Sequence, residues 1–167
     1  RGTRPAAKYC RHGGPMLRFL FLGAILVLAA VAWNVWRRER QRREIVRAEA
    51  EFARHRLKLQ EDFRAAANVS GKPRGLRWKS CDFQDAILLA RDRVNGKLVG
   101  LAGVTVAFEA VAGGGMEEVE AVDNLRAATA VLTWSGHDWT TDGRTVFNLE
   151  PHEVLARYGE SLVAIAT

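Results

Sequence analysis

The uncharged run Phe19–Trp36 constrains this chain more than any other feature. From Leu17 to Trp36 the sequence reads LRFLFLGAILVLAAVAWNVW, and only Arg18 and Asn34 are strongly polar. These 18 uncharged residues make about 27 Å of helix, close to the roughly 30 Å hydrocarbon core of a bilayer. A soluble protein buries such a helix only inside a large core, which 167 residues cannot supply. The run therefore predicts a transmembrane helix over residues 16–36. Arg18 is expected to snorkel to one interface, with Trp33 and Trp36 in an aromatic belt at the other.

Ala30-Val31-Ala32 has the small-residue pattern of a signal-peptide cleavage site. Cleavage there would release an exported soluble domain. The residues that follow argue for an uncleaved anchor: the apolar stretch continues to Trp36, and Arg37, Arg38, Arg40, Arg42 and Arg43 come directly after. Dense basic charge resists translocation, so this end of the helix and everything after it is expected on the cytoplasmic side. Residues 1–15 are basic and aperiodic, and read as a disordered tail or as an extension upstream of a native start at Met16.

The formal charge of +6 conceals a division. Residues 1–79 hold 19 Lys/Arg against 6 Asp/Glu, whereas residues 80–167 hold 6 against 13. Anionic lipid headgroups account for basic residues beside a membrane. No DNA- or RNA-binding motif accompanies them, so nucleic acid is not an expected partner. With two Cys, the chain is neither a disulfide scaffold nor an all-Cys zinc protein.

Residues 37–66 contain no Gly or Pro and predict a basic juxtamembrane helix, read as a stalk. Ile45, Phe52, Leu59 and Ala66 recur every seven residues. That seam would permit a coiled-coil homo-oligomer, but the second seam of Ala48, His55 and Asp62 is poorly apolar. Residues 67–79 read as a linker, with Ser70-Gly71 and Pro73 ending the helix and Trp78 opening the first strand.

Residues 80–167 predict a small α+β domain, an antiparallel β-meander with a C-terminal helix. Asn95-Gly96 between Ala86–Arg93 and Lys97–Val111 predicts a type I′ hairpin. Val104, Val106 and Phe108 alternate with Thr105, Ala107 and Glu109, as in a half-buried strand. Glu117–Asp123 and Leu125–Trp134 read as one interrupted strand or two short ones. The turn Ser135–Asp138 follows, and Trp139–Leu149 returns with a kink at Asp142-Gly143. Trp134 and Trp139 are placed to pair across the turn. Pro151 opens a helix, while the pattern over residues 159–167 fits helix and strand equally.

The candidate catalytic residues are His137, Asp138, Asp142 and His152, because imidazole beside carboxylate suits general acid–base chemistry. Ser, Gly and Asp are also ordinary turn residues, and the turn reading is preferred. A membrane-tethered enzyme is thus the alternative to a non-catalytic binding, scaffolding or accessory module. Glu117, Glu118, Glu120 and Asp123 are candidates for an acidic partner-binding surface or a solvated strand edge. No cofactor or metal is expected.

Overall fold

The computed structural model describes residues 15–70, 75–116, 118–119 and 124–165. Its first element, α1, covers Pro15–Ser70 and is non-helical internally at His55 (φ −111°, ψ 17°). The chain divides into two compact units, Arg1–Arg42 and Arg43–Thr167. In the first, the apolar window is wholly unburied. Trp33 and Trp36 lie 5.2 Å apart between ring centroids, and the Arg40 guanidinium sits 5.5 Å from the Trp36 centroid.

The second unit is an antiparallel sheet packed on the C-terminal part of α1. Its strands are β1 (Leu76–Asp92), β2 (Leu98–Ala110), β3 (Arg126–Trp134), β4 (Trp139–Thr140), β5 (Thr145–Phe147) and β6 (Leu162–Ala164), with α2 (Pro151–Arg157) before the last. The spatial order is β4-β3-β2-β1-β6, and β5 continues the edge beside β3. The α+β architecture thus matches the sequence reading. The meander runs as far as β5. The chain then passes through α2 to add β6 on the opposite edge, against Ala90–Asp92. This resolves the C-terminal pattern: α2 ends at Arg157 and Leu162–Ala164 is strand.

Alternation along β2 and β3 creates the two sheet faces. Val104, Val106, Phe108, Ala130 and Leu132 face one way and are buried with Ala48, Phe52, Leu59, Phe63 and Ala67 of α1. Phe63 meets Trp78 and Phe83 edge-on, and Phe52 stacks on Phe83 at 6.2 Å. On the other face Val99 and Leu101 pack with Val154 of α2. Glu150 and Glu153 form a capping box at the start of α2, with Pro151 in its first turn.

Residues 43–66 are therefore not a free stalk. Their apolar residues complete the core of the domain, which begins at Arg43 rather than at residue 80. The seven-residue seam is spent within the chain: Phe52 is 1 % and Leu59 5 % exposed. The expected linker is also shorter, because 67–70 belong to α1 and 76–79 to β1.

β1 begins two residues before Trp78, which the sequence reading places at its opening, and register shifts at Trp78/Ser80 and Phe83/Ile87 break its alternation. β6 covers only its last residues, and the remaining edge is met by a row of α1 side chains four residues apart. Arg56 pairs with Asp85. The Phe83 amide donates to Gln60 Oε1 (3.2 Å), Arg64 Nη1 donates to the Lys79 carbonyl (3.4 Å), and the Trp78 amide donates to Asn68 Oδ1 (3.1 Å). A residue every four positions lies on one helix face, so one stripe of α1 closes a strand edge.

The β1–β2 turn is not type I′, which needs φ > 0 at both central residues. Gly96 has φ 70°, but Asn95 is not left-handed. The Asp92 carboxylate organises the loop instead, accepting from the Val94 amide (2.7 Å) and Asn95 Nδ2 (2.9 Å). The β2–β3 connection also departs from expectation. Glu118 and Val119 are not in a strand, and β3 begins only at Arg126. The kink in the returning strand is a true break between β4 and β5. Gly143 occupies it with φ 78°, where a Cβ would lie 2.5 Å from the Ala67 amide nitrogen.

Candidate functional site

Beside the buried stripe of α1 runs a second, polar stripe: Glu51, His55, Lys58 and Asp62, spaced by three and four residues. With Asp138 and Thr141 at β4 it lines an open cavity of about 650 Å³. Trp139 forms part of its wall. The indole is fixed there by donating from Nε1 to the Ala48 carbonyl (2.8 Å) and by packing on its cross-strand partner Trp134 at 5.3 Å. His55, at the local departure from helical geometry, places Nδ1 2.6 Å from Glu51 Oε1. Glu51 Oε2 also lies 3.7 Å from Arg54. The arrangement offers hydrogen-bond acceptors and one imidazole to solvent.

The sequence candidates do not meet here. His137 is exposed on the β3–β4 turn, where its Nδ1 is 3.5 Å from Ser135 Oγ. That hydroxyl also holds the turn itself, donating to the Asp138 carbonyl (2.8 Å) and accepting from the Asp138 amide (3.0 Å). Asp142 lies in the β4–β5 loop and accepts from the Arg144 amide (3.1 Å). It lines a different cavity, of about 910 Å³, on the α2 side. His152 is exposed on α2, and neither cavity includes His137 or His152. Only Asp138 reaches the groove along α1. Among the described residues no group of three His, Cys, Asp or Glu could hold a metal ion.

Arg37, Arg38, Arg40, Arg42 and Arg43 are all exposed on α1, as are Trp33 and Trp36. Arg18 lies within α1, with its side chain outside the described residues. Of the acidic candidates, Glu118 is exposed in the β2–β3 connection; Glu117, Glu120 and Asp123 lie outside the described residues. Cys81 is buried in the core, and its thiol is pushed up to about 12, by burial first and by neighbouring Asp82 second, against the opposing charge of Arg64. It is a packing residue with no thiolate at neutral pH.

Sequence reasoning missed the cavity beside α1. Its signal was present as the two polar interruptions, His55 and Asp62, in the second helical seam. Comparisons with protein-family models, curated proteins and solved structures find no match.

Proposed function

We propose that this chain is a single-pass membrane-anchored accessory protein. It acts by binding rather than catalysis, and presents its α+β domain on the cytoplasmic side. The observation that carries this reading is the unburied apolar window of α1, whose side chains, such as Leu26 at 70 % and Phe21 at 66 % exposure, have no protein interior to enter. A bilayer removes that surface from water. The arginines after Trp36 support the orientation, since Lys and Arg favour the cytoplasmic side. The scatter of His137, Asp142 and His152 supports a non-catalytic role. The acidic β2–β3 connection containing Glu118 is the proposed meeting point with a protein partner.

The test is alkaline extraction of membranes from cells expressing the chain, with protease protection of the C-terminal domain. The proposal expects a pellet-bound, full-length protein whose domain is cut only after the cytoplasmic face is opened to protease. A mature N-terminus at Trp33, or extraction into the supernatant, overturns it. A partner at the acidic connection should co-purify stoichiometrically from detergent and be lost in Glu118→Lys combined with Glu117→Lys.

A further inference from the structure

The β1–β2 hairpin carries an exposed apolar residue at its tip between two basic ones. Val94 is 89 % exposed, the highest value among the large hydrophobics of the described residues, and Arg93 and Lys97 flank it in solvent. The tip is held in shape. Asp92 accepts from the amide of Val94 and the side chain of Asn95, the Asp92 amide donates to the Lys97 carbonyl (2.9 Å), and the Arg93 amide donates to the Ser161 carbonyl (2.9 Å). Exposing an apolar side chain on a built loop gains nothing in water.

The hairpin is also tied to the start of its unit. Arg91 donates to the Gly96 carbonyl through Nη1 (2.7 Å) and to Glu44 Oε2 through Nη2 (3.2 Å). Glu44 follows the basic cluster directly and is eight residues from Trp36. Eight residues span at most about 29 Å in any conformation. The domain that carries the tip is thus joined to the apolar window by a covalent tether no longer than that.

We infer that the β1–β2 hairpin tip is a second membrane contact, on an anionic bilayer surface: Val94 enters the headgroup region while Arg93 and Lys97 bind phosphates. This rests on the anchored reading above. The local acids oppose part of the attraction, which rests on Arg93 and Lys97 immediately beside Val94. Asp92 is engaged by the loop and Glu44 by Arg91, whereas Asp138 and Glu160 lie on neighbouring turns and would face the same surface. The sheet gives the contact a built-in control. The β2–β3 register, Val99 opposite Thr133 and Val106 opposite Arg126, puts Leu125 at the far end of the same sheet, 70 % exposed.

The experiment uses the full chain with Cys10→Ser, carrying Val94→Cys or Leu125→Cys and an environment-sensitive label. The chain is reconstituted into phosphatidylcholine vesicles with and without phosphatidylglycerol. Buried, high-pKa Cys81 does not compete for label. The expected result is a label at position 94 shielded from aqueous iodide in the anionic vesicles only, with position 125 open in both. Shielding should fall roughly fivefold for each basic residue removed by Arg93→Gln or Lys97→Gln, and should weaken in high salt. A chain that floats with anionic vesicles while position 94 stays open overturns the hairpin contact and leaves the anchor standing. Equal shielding at positions 94 and 125, or in both lipid compositions, also overturns it. A chain that floats with neither vesicle overturns both readings.

Discussion

The two parts of α1 carry similar kinds of apolar residue and do opposite things with them. In the first unit Phe21 is 66 % and Leu26 70 % exposed, whereas in the second Phe52 is 1 % and Phe63 0 % exposed. The difference lies in arrangement. Apolar residues on every side leave no face for water, so that part of the helix suits a uniformly apolar surrounding. A stripe at 48, 52, 59, 63 and 67 leaves a polar side, and the stripe finds a sheet. Helix propensity is common to both parts, and the pattern decides what each part dissolves in.

The comparison breaks most readily at the stripe. Phe63→Ala should cost about 3–5 kcal/mol of domain stability, read by denaturant unfolding in detergent. Phe21→Ala should leave the same midpoint unchanged. If both behave alike, the two parts of α1 are not in different surroundings. Next in size is Leu26→Arg, a charge near the middle of the apolar window. It should reduce membrane insertion by about 2.5–3.5 kcal/mol, measured as loss of the chain from the alkaline-extracted pellet. The folded domain should be unaffected.

A smaller effect is expected at the edge row. Asn68→Ala leaves the Trp78 amide without its acceptor and should cost about 1–3 kcal/mol. Trp139→Phe should cost about 1 kcal/mol through loss of the bond to Ala48, and more than Trp134→Phe, whose buried Nε1 has no hydrogen-bond partner. The last effect is nil at neutral pH and emerges only in alkali. Cys81 rises from an ordinary 9.0 to about 12 on folding, so its contribution is intact below pH 9 and is lost progressively as pH climbs toward 12. Cys81→Ala should flatten that part of the stability–pH profile relative to wild type.

The apolar window was legible because it needs only length and composition. The β2–β3 pairing and the Trp134–Trp139 pair were legible because strict alternation runs through Val104–Phe108 and into Trp134. The packing of residues 43–66 was not. There ten of thirty positions in 37–66 are basic, and the buried positions shift between spacings of three, four and seven. In β1 only Ala86–Arg93 showed a regular pattern, because two register shifts interrupt the alternation between Trp78 and Ile87. At the site, Asp138 was recognised for its place in a turn, but its neighbours Glu51 and His55 come from another element about 85 residues away, and only the register of helix against sheet brings them near. His137 and His152 drew notice as imidazoles, yet the topology sends one to a turn and the other to α2.

On the proposed anchored reading, the row Arg56, Gln60, Arg64 and Asn68 has a consequence for copies of the protein confined to one plane. Tethering raises the local concentration of neighbours far above that in bulk solution, and an open strand is the feature through which neighbours recruit one another into continuous ribbons. In this chain the helix emerges from the ribosome before the strand it closes, so the guard is made ahead of the hazard. Four side chains thereby act as a quarantine for one stretch of β1: a neighbour's strand finds the edge between Trp78 and Asp85 already occupied by the chain's own helix.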